Sequence, residues 1–148
     1  MAVRWEAGVS SSLGSVTILV VEDDEFIRAT TVDALSELGW TVLEAENALL
    51  ALEVIEGESR VDLVFSDIQM PGKVDGVGLA AWMQEHRPHT PVILTSGLVR
   101  DIGAALPDVD LIAKPYTHAE VIAGIWRRLK PRREQAAPLQ VGVGAVRG

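Results

Sequence analysis

Cysteine is absent from the chain. That excludes a disulfide scaffold and thiolate metal sites, and it fits a cytoplasmic protein. No apolar run approaches the ~20 residues needed to cross a bilayer. The first residues, Met1 to Gly8, lack a continuous apolar core and carry Glu6, which argues against a signal peptide. Basic residues are scarce through most of the length: residues 1–126 hold 7 Lys/Arg against 20 Asp/Glu. An acidic body of this kind argues against nucleic-acid binding, where phosphate neutralisation dominates affinity. The remaining cations, chiefly Arg127, Arg128, Lys130, Arg132 and Arg133, are grouped near the C-terminus, where they complement the negative end of a final helix. Aromatic residues make up only 5% of the chain, and Trp5, Trp40, Trp82 and Trp126 are scattered as packing residues would be. His86, His89 and His118 show no metal-ligand spacing. There is no internal repeat.

What is present is one domain's worth of ordinary globular sequence: 148 residues, 48% hydrophobic and 23% charged. Residues 1–15 read as a disordered lead and 131–148 as a flexible tail, with one domain over 16–130. Within it, short runs rich in β-branched residues alternate with segments of helical period. Strands are expected at Val16–Val21, Trp40–Ala45, Val61–Asp67, Pro91–Thr95 and Asp110–Lys114. Helices are expected from about Glu25 to a stop at Gly39, from an Asn47 cap to Gly57, over Val77–His86, over Leu98–Leu106, and from Thr117 until Pro131 ends the last. Thr117-His118-Ala119-Glu120 is a capping box. Five strands alternating with five helices predict an α/β fold, a doubly wound parallel sheet with helices on both faces. The fourth helix is the weakest, broken by Gly103 and stopped by Pro107.

In a parallel sheet all strands end on one rim, and ligands bind in the crevice beyond those ends. The rim here collects Glu22 and Asp23 after the first strand, Asp67 after the third, Thr95 after the fourth and Lys114 after the fifth. Strand two ends blandly at Ala45, as an edge strand would. Each of these residues alone has an ordinary reading: Asp caps loops and helices, and Lys-Pro forms turns. Together they are the parts of a phosphoryl-transfer site. Hard carboxylate oxygens suit Mg²⁺, Thr95 offers a hydroxyl, Lys114 offers a point charge for a phosphoryl oxygen, and a carboxylate such as Asp67 is a legitimate covalent acceptor.

The set resembles the receiver domain of two-component response regulators over about Val16 to Lys130. The resemblance is carried by Ile18-Leu19-Val20-Val21-Glu22-Asp23-Asp24, Asp67-Ile68-Gln69-Met70-Pro71-Gly72 with Asp75-Gly76, Thr95-Ser96-Gly97 and Lys114-Pro115. It implies the flavodoxin-like five-stranded sheet of order 2-1-3-4-5. It implies that Asp67 accepts a phosphoryl group from a sensor histidine kinase or histidine phosphotransfer protein, with Thr95 and Lys114 holding the phosphoryl oxygens. Glu22, Asp23, Asp67 and the backbone carbonyl of Gln69 would hold Mg²⁺, and the Lys114–Pro115 peptide would be cis. The protein would then be no enzyme on other substrates, catalysing only the phosphorylation and dephosphorylation of Asp67.

With no second domain read after residue 131, output would pass to a downstream protein target or a relay, with neither nucleic acid nor membrane as partner. A homodimer through the fourth and fifth helices stays open. Three departures bear on signalling: Leu111 stands where the family often has an aromatic residue, the loop Met70–Gly76 is one residue longer than the commonest form, and the fourth helix is broken. The rival readings are a phosphorylation-independent pseudo-receiver, a haloacid-dehalogenase-type phosphatase and a flavin-binding module. The phosphatase family places its nucleophile first in the chain, the reverse of the order here. A flavin-binding module would need a phosphate cradle after the first strand, where Glu22-Asp23-Asp24 would repel a phosphate.

Overall fold

The computed structural model describes residues 15–57, 60–98, 102 and 105–136, with side chains through Leu129. Five strands form one sheet: β1 (Thr17–Val21), β2 (Thr41–Ala45), β3 (Leu63–Asp67), β4 (Val92–Ser96) and β5 (Asp110–Ala113). All neighbours pair in parallel, in the order β2-β1-β3-β4-β5. Four helices connect or follow them: α1 (Glu25–Ser36), α2 (Ala48–Gly57), α3 (Gly76–His86) and α4 (His118–Ala136).

The central strands read as unbroken apolar runs because each faces a helical layer on both sides. Alternate residues of β1, β3 and β4 divide cleanly between two cores. Leu19, Val21, Val64, Val92 and Leu94 join Ala51, Ile55, Leu79 and Met83, the buried faces of α2 and α3. Ile18, Val20, Leu63, Phe65 and Ile93 join Leu35, Val121, Ile125 and Leu129, the buried faces of α1 and α4. Trp40 is buried in this second core with its ring 5.9 Å from that of Trp126. Edge strands β2 and β5 are only partly buried.

Local chemistry sets the element ends. The Asp24 carboxylate accepts the Ile27 N–H at 2.9 Å and opens α1, Asn47 accepts the Leu50 N–H at 2.8 Å and opens α2, and Asp75 accepts the Gly78 N–H at 3.0 Å and opens α3. Gly39, at φ +90°, takes the left-handed turn that follows α1. The capping box at α4 is reciprocal: Thr117 N–H donates to Glu120 at 2.8 Å, and Glu120 N–H to the Thr117 hydroxyl at 3.1 Å.

Two expectations are corrected. Four helices, not five, are found among the described residues. Where the fourth was expected, Leu98 is in a bend, Ile102 and Leu106 are non-helical and Ala105 is in a turn, while 99–101 and 103–104 lie outside the described residues. Gly103 and Pro107 both lower the helical propensity of this stretch. Helix α4 also does not stop at Pro131 but runs to Ala136. A proline forgoes one N–H bond and crowds the carbonyl four residues earlier, which bends a helix as readily as it ends one. The expected lead falls almost wholly outside the described residues, as does the tail beyond Ala136.

Candidate functional site

The pleat that fills the second core also builds the site. On the α1/α4 side of the sheet, each apolar column is followed two residues on by a polar one: Val20 by Glu22, Phe65 by Asp67, Ile93 by Thr95 and Ile112 by Lys114. Period-two alternation therefore brings these side chains to one face at the carboxyl rim. Asp67 and Thr95 are register partners on β3 and β4.

Asp67 is 5% exposed at the end of β3. Its Oδ2 accepts from Lys114 Nζ at 3.1 Å, and its Oδ1 accepts from the Gln69 N–H at 3.3 Å. Lys114 Nζ also lies 3.5 Å from Glu22 Oε1. The Lys114 backbone is anchored by its N–H to the Ser96 carbonyl at 2.9 Å, and the Lys114–Pro115 peptide is cis. Glu22, Asp23 and Asp67 bring carboxylate oxygens within 4.8 Å of one another; Glu22 and Asp67 are buried and Asp23 is exposed. Gln69 lies on the exposed side of the loop that follows. Asp24, the third acid of its run, is engaged as the α1 cap.

The electrostatics follow from three acids facing one cation. The Glu22 carboxyl is pushed up to about 7, chiefly by burial; the Asp24 N–H and Lys114 pull it back, while Asp67 and Asp23 push it further. Burial alone would lower Lys114, but its hydrogen bond to Asp67 and the Glu22 and Asp67 charges outweigh that and hold the ammonium above its ordinary pKa. Thr95 is 1% exposed, and its hydroxyl has no hydrogen-bond partner. A buried hydroxyl in that state normally costs free energy, so it fits a site built to receive an acceptor oxygen. A set of hard oxygens around surplus negative charge fits Mg²⁺ by its donor chemistry.

Tyr116 and Arg28 matter to this geometry and were not singled out from the sequence, while Gly76 entered only as part of the Asp75-Gly76 pair. Gly76 N–H donates to the Ile68 carbonyl at 2.9 Å, and a Cβ there would stand 2.2 Å from the Asp67 carbonyl oxygen. Only glycine lets α3 start against the backbone of the Asp67 turn; the Asp75-Gly76 pair was the available signal. Tyr116 packs edge-on against Phe65, with centroids 5.7 Å apart, and burial raises its phenol above the ordinary pKa. Arg28, on α1, reaches back to the backbone of Glu22. A single arginine one turn into a helix gives no sequence signal of that contact.

A family model described as the response regulator receiver domain matches residues 18–125. The chain is 41% identical over 122 residues to a protein of Brucella abortus (strain 2308) named sensor kinase CckA, covering 79% of this chain and 13% of that one. It is 32% identical over 129 residues to the DNA-binding transcriptional regulator NtrC of Escherichia coli (strain K12), covering 84% of this chain and 27% of that one. The chain thus spans a minor part of the relatives it matches. Among solved structures it is similar to a response regulator receiver protein from Sinorhizobium medicae WSM419, with TM-score 0.74 and 27% identity over 81% of this chain and 98% of that one. It is also similar to the receiver domain of the hybrid histidine kinase CckA, with TM-score 0.66 and 29% identity over 76% of this chain and 98% of that one.

Proposed function

Since the chain belongs to the response regulator receiver domains, we propose that Asp67 accepts a phosphoryl group from a phosphohistidine on a sensor kinase or phosphotransfer protein. The observation that carries this reading is the convergence of Glu22, Asp23 and Lys114 on one buried carboxylate at a strand end. An Asp67 carboxylate oxygen attacks phosphorus. The P–O bond forms as the P–N bond breaks, and the departing imidazole nitrogen keeps the electron pair and is protonated from solvent. Little covalent help is needed from the protein, so positioning and charge dominate. Lys114, held protonated well above neutral pH, offsets charge on the incoming oxygens. The partnerless Thr95 hydroxyl donates to another phosphoryl oxygen. Glu22, Asp23, Asp67 and the Gln69 backbone carbonyl are the residues that would hold Mg²⁺, which supplies Lewis-acid neutralisation of the phosphoryl group.

The added group brings about −1.5 to −2 charges to this acidic rim, so transfer is expected to depend strictly on the divalent cation. An apolar cleft opens beside Lys114, lined by Ile27, Thr30, Pro115, Tyr116 and His118. The neighbouring Phe26 is 75% exposed at the start of α1. An apolar cleft beside Lys114 and an exposed aromatic on α1 suit a protein phosphodonor. Output is by protein contacts or relay, on a cytoplasmic protein, through the surface that carries Leu111 and α4, which is also where a homodimer would form. Among the described residues no helix is long and apolar enough to cross a membrane.

The test is a phosphotransfer profile against histidine kinases and a small-molecule phosphodonor, with Asp67→Asn and a chelator as controls. Labelling is expected to vanish in both controls. Labelling that persists unchanged in Asp67→Asn rejects the reading.

A further inference from the structure

The backbone of Glu22 is held from two sides. Its N–H donates to the Ala45 carbonyl at the end of β2 at 3.1 Å, and its carbonyl accepts from Arg28 Nη1 at 2.8 Å. Its carboxylate is steered by the Asp24 N–H at 3.1 Å. Arg28 is itself fixed, because its Nε donates to Glu44 Oε1 on β2 at 2.9 Å. The arginine side chain is only 15% exposed, so its fork spans two defined acceptors. Strand β2 contributes no residue to the acidic cluster, yet through this guanidinium it meets the segment that carries two of the three acids. That segment, Glu22 to Asp24, joins the end of β1 to the start of α1, so Arg28 adds a side-chain tie to the backbone bonds that already hold its two ends.

We propose that Arg28 is a positioning residue for the Mg²⁺ site: by clamping the Glu22 carbonyl to Glu44 it sets the direction of the Glu22 and Asp23 carboxylates. The proposal rests on the reading of the acidic cluster as a Mg²⁺ site. Partners that orient metal ligands from behind typically matter by about 10–100-fold in metal affinity. A guanidinium that only stabilised the fold would change the melting temperature and leave the affinity alone.

The experiment is Mg²⁺ titration of the unphosphorylated full chain, by calorimetry and tryptophan fluorescence, with thermal melting in chelator run in parallel. Arg28→Met keeps the apolar stem and removes both donors. Arg60→Met is the control, since Arg60 makes a comparable 2.9 Å pair with Asp62 away from the site. Arg28→Met is expected to weaken Mg²⁺ roughly tenfold or more, and Arg60→Met to leave it unchanged. Arg28→Lys, which can reach one acceptor but not both, is expected to fall between.

Should Arg28→Met fail to fold, two results remain: the Arg28→Lys affinity, and the Arg28 Nε–Hε resonance of the unmodified protein. That resonance is expected to be protected from solvent exchange and to shift on Mg²⁺ addition. Equal Mg²⁺ affinity in Arg28→Met or Arg28→Lys and the unmodified chain overturns the proposal. If the unmodified chain binds no Mg²⁺, the reading of the acidic cluster fails instead, a result that these variants do not imitate.

Discussion

Replacing Glu22 by Gln should stabilise the metal-free protein, and only at high pH. Glu22 is 4% exposed and shares its surroundings with Asp67, Asp23 and a single facing ammonium. Its carboxyl rises from an ordinary 4.5 to about 7 on folding. Between those values the folded protein holds the proton and the unfolded chain has lost it, so stability falls as pH rises through the window. A rise of that size corresponds to at most about 3 kcal/mol, fully expressed above pH ~7 and absent below pH ~4.5. Glutamine stays neutral, keeps an oxygen to accept the Asp24 N–H, and gives up the 3.5 Å approach to Lys114. We therefore expect Glu22→Gln to gain on the order of 1–3 kcal/mol at about pH 8 in chelator, a rise in melting temperature of roughly 3–10 °C, with little difference at about pH 5. Thermal or urea unfolding reports this directly, since the buried Trp40 against Trp126 is an internal fluorescence probe. Adding Mg²⁺ should narrow or reverse the gap, because ligand binding stabilises only the chain that retains the site. A gain equal at both pH values, or none at about pH 8, would refute burial of surplus charge as the cause.

Three further outcomes follow from the geometry. Gly76→Ala places a methyl 2.2 Å from the Asp67 carbonyl oxygen and 2.7 Å from the Ile68 Cα; it should cost roughly 1–3 kcal/mol or more in urea unfolding, and labelling of Asp67 should slow because the turn must move. Thr95→Val removes a buried hydroxyl that has no partner; stability should be unchanged or improve by about 1 kcal/mol, while phosphotransfer slows. Thr117→Ala breaks the reciprocal cap of α4 and should cost about 1 kcal/mol by thermal melting, with Mg²⁺ affinity unchanged.

The strands were legible as sequence because burial on two faces leaves only apolar residues in them. Ile18 to Val21 and Leu63 to Phe65 admit no other placement. The caps at Asn47 and Thr117 were equally local: each is a side chain three residues from the N–H it satisfies. The rim residues could be named because parallel strands end together, and a polar residue directly after an apolar run must lie at that end. Helices were less certain where Gly and Pro interrupt them. At Leu98, Ile102, Ala105 and Leu106 the described residues are not helical, and at Pro131 the chain continued helically against the usual stop.

What sequence alone determined, then, is the strand run, the caps and the acid, hydroxyl and lysine set on one rim, all consequences of interactions between near neighbours. Tertiary structure alone decided how those groups meet. Lys114 reaches Asp67 across 47 residues of chain, Gly76 is forced small by a carbonyl on a different element, and Arg28 joins the backbone of Glu22 to Glu44 on the edge strand. Such contacts depend on how the strands and helices come together in the sheet, and the residues on either side of each group do not specify its partner.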